Sequence, residues 1–418
     1  MSIAPPVGTP YAAPALPEHE GVDRGRLSLT GDGSPEANRL RAAAAVEWSR
    51  AVATLEARFP GIDVEAMARR SGLDTARVLT DATSAEQRRT ARAAVDRFAR
   101  RGDLTLPRAG LVEPNDPNTH PLPAGLLTRE PPDQTQKLDP FLGRRAIEAV
   151  RTLVFNTMEG ELDDDTHDVV EHLAIALRSQ VQVNAYLSRG VAPGFGLHWD
   201  DHDVLVTQLE GRKYWEVHHP AQIGAVRHFV PDDEIGPVAW SGILEPGYAL
   251  WIPRGWSHAV KGFDGESSVH LTFGVKRAPL FEILALADPS VTTAGRFDPA
   301  AFEHAVGDWR SRVVALPRVG PIAASEAVDR AFVGMRLDAT LLGGTIFALD
   351  HTDEDHLGIV ANRRLVRVRR PDVEVLAALI ERAAPDVESL RVRCGDVDLE
   401  PALLRLGELG LLRLQPTR

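Results

Sequence analysis

The sequence predicts an α+β protein: an antiparallel β-barrel or sandwich near the middle of the chain, with helical regions on both sides. Three observations carry this. Between about Val181 and Val275, short runs rich in β-branched and aromatic residues follow one another, with Gly and Pro between them. Before and after that stretch, apolar residues recur at helical spacing. The chain has 418 residues, 44% apolar and 25% charged, which is enough for two or three domains with real cores.

Taken in order, residues 1 to about 38 are rich in Pro, Gly and Ser and lack periodicity, as a flexible tail would. Residues 39–135 form a helical N-terminal region and a connector. ANRLRAAAAVEWSRAVATLEARF and SAEQRRTARAAVDRFARR have helical spacing, and LPRAGLVEPNDPNTHPLPAGLLTREPPD is dense in proline, a boundary signal. Residues 136–279 hold the barrel. It is entered through RRAIEAVRTLVFNTM and DVVEHLAIALRS, both expected as helices. VQVNAYLS, VLVTQLE, KYWEVHH, AVRHFVP, YALWIP and SVHLTFGV are expected as strands. Helix returns over residues 280–330, in FEILALA and PAAFEHAVGDWRSRVVAL. Within 331–418, the run from Val373 reads as helix (VEVLAALIERAA), link (VESLRVRCGDVD), helix (PALLRLGELG) and a short strand (LLRLQ), the order of a small winged-helix-like module.

Bulk properties exclude several function classes. Acidic residues outnumber Lys and Arg, 59 to 47, giving a net charge of −12. That balance argues against general nucleic-acid binding and suits a basic partner. Over residues 363–418 basic residues only narrowly outnumber acidic ones, a weak footprint for DNA. A single cysteine, Cys394, rules out a disulfide framework and a cysteine-based metal cluster. The N-terminal stretch has neither a basic n-region nor an apolar h-region, and no apolar run approaches membrane-spanning length. A cytoplasmic protein with no membrane partner is the expectation.

The densest chemistry lies in GFGLHWDDHDVLVTQLEGRKYWEVHHP. If HWD is extended, His198 and Asp200 project together, with Trp199 opposite. An imidazole and a carboxylate side by side supply two of the three ligands of a facial triad, the Fe(II) arrangement that leaves positions open for a co-substrate and O2. His258 in EPGYALWIPRGWSHAV can complete it, with Gly247 making a turn and Pro253–Gly255 a tight bend before it. His202 shares the face of Asp200 if the strand continues, so it is a rival ligand. Asp201 reads as a solvated loop residue, and His218, His219 and His228 read as surface or core histidines. Glu210–Gly211 reads as a hairpin turn that places Lys213 on a barrel strand. An ammonium directed inward is costly unless it meets an anion, such as the far carboxylate of a metal-chelating diacid. Asn184 and Tyr186, on one face of VQVNAYLS, can add polar contacts. Trp199, Trp215, Trp251 and Trp256 read as core packing.

At these residues the chain resembles the cupin-type JmjC oxygenases of the ribosomal-oxygenase group. The resemblance runs from about Val181 to Val275 and includes GYALWIPRGWSHAV and SSVHLTFGV. It implies a double-stranded β-helix and an Fe(II)- and 2-oxoglutarate-dependent dioxygenase that consumes O2. It makes His198, Asp200 and His258 the iron ligands and catalytic centre, and Lys213 the partner of the 2-oxoglutarate distal carboxylate. Asn184 and Tyr186 fall at pocket-lining positions, and His270 near the site. The group follows its barrel with a helical dimerisation segment and a winged-helix domain, so a homodimer is implied. The implied activity is hydroxylation of an Arg or His side chain of a protein, with a ribosomal protein as the substrate the group's analogy suggests, and the acidic VPDDEIG (Asp232, Asp233, Glu234) suits a basic target. Two other readings stand beside it: a tailoring hydroxylase of a peptide or small metabolite, and a non-catalytic metal-binding cupin regulator. Residues 1–135 show no match to the group's usual N-terminus.

Overall fold

The computed structural model describes residues 34–69, 76–100, 108–113, 119–120, 127–130, 135–138, 152–158, 161–177, 179–190, 194–220, 235–276, 337–341, 348–349, 354–361, 364–381, 387–395, 397–409 and 411–416. Residues 1–33 of the expected tail, the strand AVRHFVP with His228, the acidic VPDDEIG trio and the helical segment 280–330 lie outside these residues, while residues 34–38 of that tail already form the cap and first turn of a helix.

Two antiparallel sheets face each other. The larger has the order β1 (Arg77–Leu79), β11 (Ala249–Ile252), β8 (Asp203–Glu210), β13 (Ser267–Lys276), β7 (Gln180–Arg189), β6 (Thr152–Phe155), β2 (Ala109–Val112), β3 (Thr119–His120). The smaller has the order β10 (Val238–Leu244), β9 (Lys213–His218), β12 (His258–Gly262), while β4 (Leu127–Glu130) and β5 (Thr135–Leu138) pair with each other. Within the larger, β7 and β13 carry most of the site-forming face, joined by Val204 of β8, which pairs on its other edge with β11. β9 (Lys213–His218) is the centre of the smaller sheet, between β10 (Val238–Leu244) and β12 (His258–Gly262).

Period-two alternation assigns each strand's faces. On β8, Leu205 and Leu209 enter the core shared with the helices, while Val204 and Val206 enter a second core between the sheets. β11 splits the same way, with Ala249 and Trp251 on the helix side and Leu250 and Ile252 between the sheets. β7 and β13 differ. Their helix-side residues are apolar (Val183, Ala185, Leu187; Val269, Leu271, Phe273, Val275), but their other face is polar. Gln182, Asn184, Tyr186, Ser188, His270 and Thr272 line a cavity between the sheets. A polar inner face is expensive in a barrel, and it marks where a ligand replaces the apolar filling.

Several elements depart from the sequence expectation. The proline-dense connector contributes β2 (Ala109–Val112) and β3 (Thr119–His120) to the main sheet. Strands this short need only main-chain pairing, and four consecutive buried residues leave no alternation to read. TLVF, expected as helix, is β6 (Thr152–Phe155), paired with β2 and β7. β1 (Arg77–Leu79) joins β11 and brings the N-terminal region into the main sheet. β10 has no counterpart in the sequence reading. Near the C-terminus the expected link is a helix, Val387–Cys394, with Val387, Leu390 and Cys394 buried at helical spacing.

The other helices follow their sequence signals. α1 (Pro35–Arg58) starts with Pro at its first turn, and Ser34 Oγ accepts the Ala37 N–H at 3.3 Å. α2 (Val64–Arg69) is short. α3 (Ala85–Ala99) opens with a capping box between Ser84 and Gln87. α4 (Asp164–Leu177) lies among the core residues behind the main sheet. α1 belongs to two cores. Its first turns (Ala37, Leu40, Ala43) pack with α5 (Val373–Ile380), α6 (Val387–Cys394) and α7 (Leu399–Glu408). Its last turns (Ala51, Val52, Leu55) pack behind the barrel. Arg39 bonds both Glu374 and Glu381, and Arg50 donates to the Ile380 and Glu381 carbonyls at the end of α5. Among the described residues no helix is long and apolar enough to cross a membrane.

Candidate active site

The structure brings His198, Asp200 and His258 together, one candidate ligand atom from each lying within 4.8 Å of the others. The local reason differs from the expected one. His198 is not in a regular strand. It makes an isolated antiparallel bridge with His258, through His258 N–H to the His198 carbonyl at 2.7 Å and His198 N–H to the His258 carbonyl at 3.2 Å. The main chain thus fixes the two histidines opposite one another, ring centroids 4.5 Å apart. Asp200 is held by the bend before His258, where the Gly255 N–H donates to its carbonyl at 3.0 Å. Gly255 has φ +81°, a conformation that costs a glycine little.

Both imidazoles are turned the same way. Nδ1 of His198 lies 2.8 Å from the Gly196 carbonyl, and Nδ1 of His258 lies 3.1 Å from the Trp256 carbonyl. A carbonyl only accepts, so Nδ1 carries the proton and Nε2 keeps its lone pair for a metal. Nε2 of His258 lies 3.6 Å from an Asp200 carboxylate oxygen. Burial, then the neighbouring His198, pushes His258 down to about 4, with Asp200 acting the other way, so the ring is neutral at neutral pH. Burial would raise Asp200, but His258, His202 and His198 outweigh it and hold the carboxyl below its usual range. Two imidazoles and one carboxylate on one wall are the donor set of a facial triad.

Lys213 stands farther along the same cavity. β9 pairs Val217 with His258 and Lys213 with Gly262, so the lysine lies four residues from the level of His258, about 13 Å along the strand. The hairpin turn before it contains Gly211 at φ +62°, where a Cβ would sit 2.0 Å from the Ser267 carbonyl oxygen. Lys213 is 3% exposed, and burial alone pushes its ammonium down to about 7. Among the described residues no carboxylate pairs with it. Near it, His270 and Trp215 each bury a ring nitrogen (Nδ1 and Nε1) that has no hydrogen-bond partner among the described residues. Burial and then Lys213 hold His270 well below its ordinary range.

Tyr186 stacks on His270 at 4.8 Å and 12°. Its phenol is raised by burial and by Asp200, against the opposing hydrogen bond of Asn184. The Asn184 side-chain oxygen accepts the Thr157 N–H at 3.2 Å. The cavity joining these groups measures about 390 Å³.

Other candidates fall outside the ligand group. β8 begins only at Asp203, so the alternation that made His202 a rival ligand does not extend to it. Its Nδ1 bonds an Asp201 carboxylate oxygen at 2.9 Å, and that contact leads in holding Asp201 down to about 2. His218 uses Nδ1 on the Gly236 carbonyl and Nε2 on Glu216, and His219 packs on Trp256 at 4.6 Å. Sequence reasoning placed Trp215 in the core. It is also a cavity residue, and the signal was its position two after Lys213, on the same strand face.

Residues 156–283 match the JmjC domain family. Homo sapiens ribosomal oxygenase 1 is 39% identical over 95 residues, which are 21% of this chain and 15% of that protein. A Caenorhabditis briggsae protein named bifunctional lysine-specific demethylase and histidyl-hydroxylase NO66 is 35% identical over 105 residues, 23% of this chain and 13% of that one. The chain therefore spans only a small part of the curated relatives it matches. The solved structure of Escherichia coli ycfD is similar over 85% of this chain and 98% of its own, with TM-score 0.52 and 15% identity, a likeness of fold. The two facing antiparallel sheets are a JmjC-type cupin fold.

Proposed function

From a chain that is a JmjC, ribosomal-oxygenase-like protein, we propose an Fe(II)- and 2-oxoglutarate-dependent dioxygenase that hydroxylates an amino-acid side chain, Arg or His, of a protein. The observation that carries it is the pairing, in one cavity, of a His–Asp–His donor set with a buried ammonium that has no counter-charge among the described residues. Iron would be held by Nε2 of His198, Nε2 of His258 and the Asp200 carboxylate. The far carboxylate of 2-oxoglutarate would meet Lys213, with the His270 and Trp215 N–H groups and the Tyr186 hydroxyl at hand. The donor chemistry fits both guests, since hard oxygen and neutral imidazole suit Fe(II) and an uncompensated buried cation suits a dianion.

When bound, iron(II) with 2-oxoglutarate and O2 supplies the oxidising chemistry, by which one oxygen atom enters a C–H bond of the substrate and the other enters succinate as CO2 leaves. The chain's own residues orient and exclude. The Gly196 and Trp256 carbonyls hold each imidazole in its ligating tautomer. Trp215 on β9, with Val204 opposite and Val260 on β12, gives the cavity an apolar wall.

The name of the human relative supports a ribosomal protein as substrate, and the acidic balance supports a basic one. We read the finer architecture on the same footing: a double-stranded β-helix over residues 136–279 after an N-terminal region 39–135, a dimerising segment 280–330 that makes a homodimer, and a winged-helix-like module 331–418 in a cytoplasmic protein. Three short helices followed by a strand that pairs with Leu337–Leu341 support the last module.

Succinate release with Fe(II) and 2-oxoglutarate, with and without ribosomes, tests the reading, coupled to a mass search for peptides heavier by about 16 Da. Succinate formation that depends on the added target supports hydroxylation. Metal binding with no turnover on ribosomes or lysate favours the regulator instead.

A further inference from the structure

Beside the ligand group, two polar side chains flank a glycine on the cavity wall. Gly274 on β13 pairs with Gln182 on β7 and with Val204 on β8. A Cβ at Gly274 would lie 2.8 Å from two ring atoms of His202 and 3.2 Å from Cγ of Gln182. Glycine here is a seat, because the imidazole edge and the Gln182 stem close over its Cα and a methyl group would push the ring off. The hydrogen bond from Nδ1 of His202 to Asp201 fixes the ring's rotation from the other side. With Nδ1 so engaged, Nε2 offers a single hydrogen-bonding position. Both side chains line the cavity that holds the ligand group. Among the described residues neither Nε2 of His202 nor the Gln182 carboxamide has a hydrogen-bond partner.

Charge narrows what these groups can receive. Among the described residues lining the cavity, Asp200 is the only carboxylate, set against Lys213 and Lys261. Asp200 is already committed to the ligand group. A guanidinium or ammonium would therefore meet no uncommitted carboxylate on the described lining, a costly burial. An imidazole or carboxamide carries no net charge and can be matched, donor to acceptor, by His202 and Gln182.

We propose that His202 and Gln182, seated on Gly274, form a specificity subsite that receives a neutral hydrogen-bonding side chain of the prime substrate, an imidazole or a carboxamide, in preference to a cationic one. This rests on the oxygenase reading and narrows its substrate class.

The test uses fluorescein-labelled basic peptides identical except for one central His, Gln or Arg. Their binding to the full chain loaded with cobalt(II) and 2-oxoglutarate is read by anisotropy. The His and Gln peptides bind about tenfold more tightly than the Arg peptide. H202A and G274A each bring the three affinities within about twofold of one another, and H202N keeps part of the difference. Circular dichroism verifies that each variant is folded, and H202A carries the test alone if G274A is not. An Arg peptide bound as well as the others, no measurable binding of any peptide, or a preference that survives H202A overturns the proposal. Succinate release on the same peptides reports separately on the parent reading. Silence there with the binding preference intact removes the oxygenase and leaves the subsite standing.

Discussion

The two ends of the cavity handle buried polarity in opposite ways. At the His198–Asp200–His258 end, charge and hydrogen bonding are settled inside the protein. Each imidazole Nδ1 has a carbonyl, the carboxylate has imidazoles around it, and the main-chain bridge holds the histidines in place. At the Lys213 end nothing is settled. An ammonium and two ring nitrogens are buried without acceptors among the described residues. The first end is built as a rigid donor set. The second stores an electrostatic debt that a bound anion would cancel. A core organised only for stability would show neither, since apolar residues of similar volume would cost less.

Substitutions can sharpen that contrast or break it. The largest effect is expected at the settled end. Asp200→Ala should weaken cobalt(II) binding, measured by calorimetry, at least about a hundredfold and remove succinate formation. Retained affinity would mean that the three groups do not act as one donor set.

The next effect is at the unsettled end and has two signs. Lys213→Met should raise the 2-oxoglutarate KM by roughly ten- to a hundredfold, the loss of a charge-assisted contact. The same substitution should stabilise the ligand-free protein. The Lys213 pKa is about 7 in the fold against about 10.5 unfolded, so between those values the unfolded chain binds more protons and stability rises with pH. Below pH 7 the penalty is fully present, and each pKa unit is worth about 1.4 kcal/mol. Thermal melts of wild type from pH 6.5 to 10 should show this rise, and Lys213→Met should flatten it. A variant that melts lower at every pH would contradict the contrast.

A smaller effect separates scaffold from chemistry. Gly211→Ala puts a methyl group 2.0 Å from the Ser267 carbonyl and onto φ +62°. It should cost about 1–3 kcal/mol in denaturant unfolding, and because the turn precedes Lys213 it should affect 2-oxoglutarate before metal. The smallest is far from both ends. Arg39→Ala removes a partly exposed bridge to Glu374 and Glu381, worth about 1 kcal/mol or less, and should leave cobalt(II) affinity unchanged.

The settled end was legible in residue types, though not for the reason that spacing suggested. The spacing predicts an extended HWD, whereas His198 makes a lone bridge and Asp200 hangs from the Gly255 bend. A three-residue pattern cannot distinguish a strand from a bridge, because both depend on a partner sixty residues away. Lys213 was legible because a hairpin signal and strand alternation together fix its face. Strand alternation does not reach His202, because the strand starts one residue after it, and its neighbour Gly274 is visible only in the folded chain. TLVF and AGLV failed for a different reason. Wholly buried strands show no alternation, and a four-residue apolar run fits a helix or a strand equally well. The helix Val387–Cys394 has its three buried positions correctly spaced, but charged residues between them masked the pattern.

The dual allegiance of α1 also bears on how the molecule is made. Arg39 meets Glu374 across 335 residues of sequence. During synthesis the last turns of the helix can dock as soon as α4 and the barrel strands emerge, while its first turns must wait for α5 to leave the ribosome. Until then Leu40 and its apolar neighbours have no permanent cover, a window in which a chaperone or a premature partner would find this helix before the chain's own terminus does.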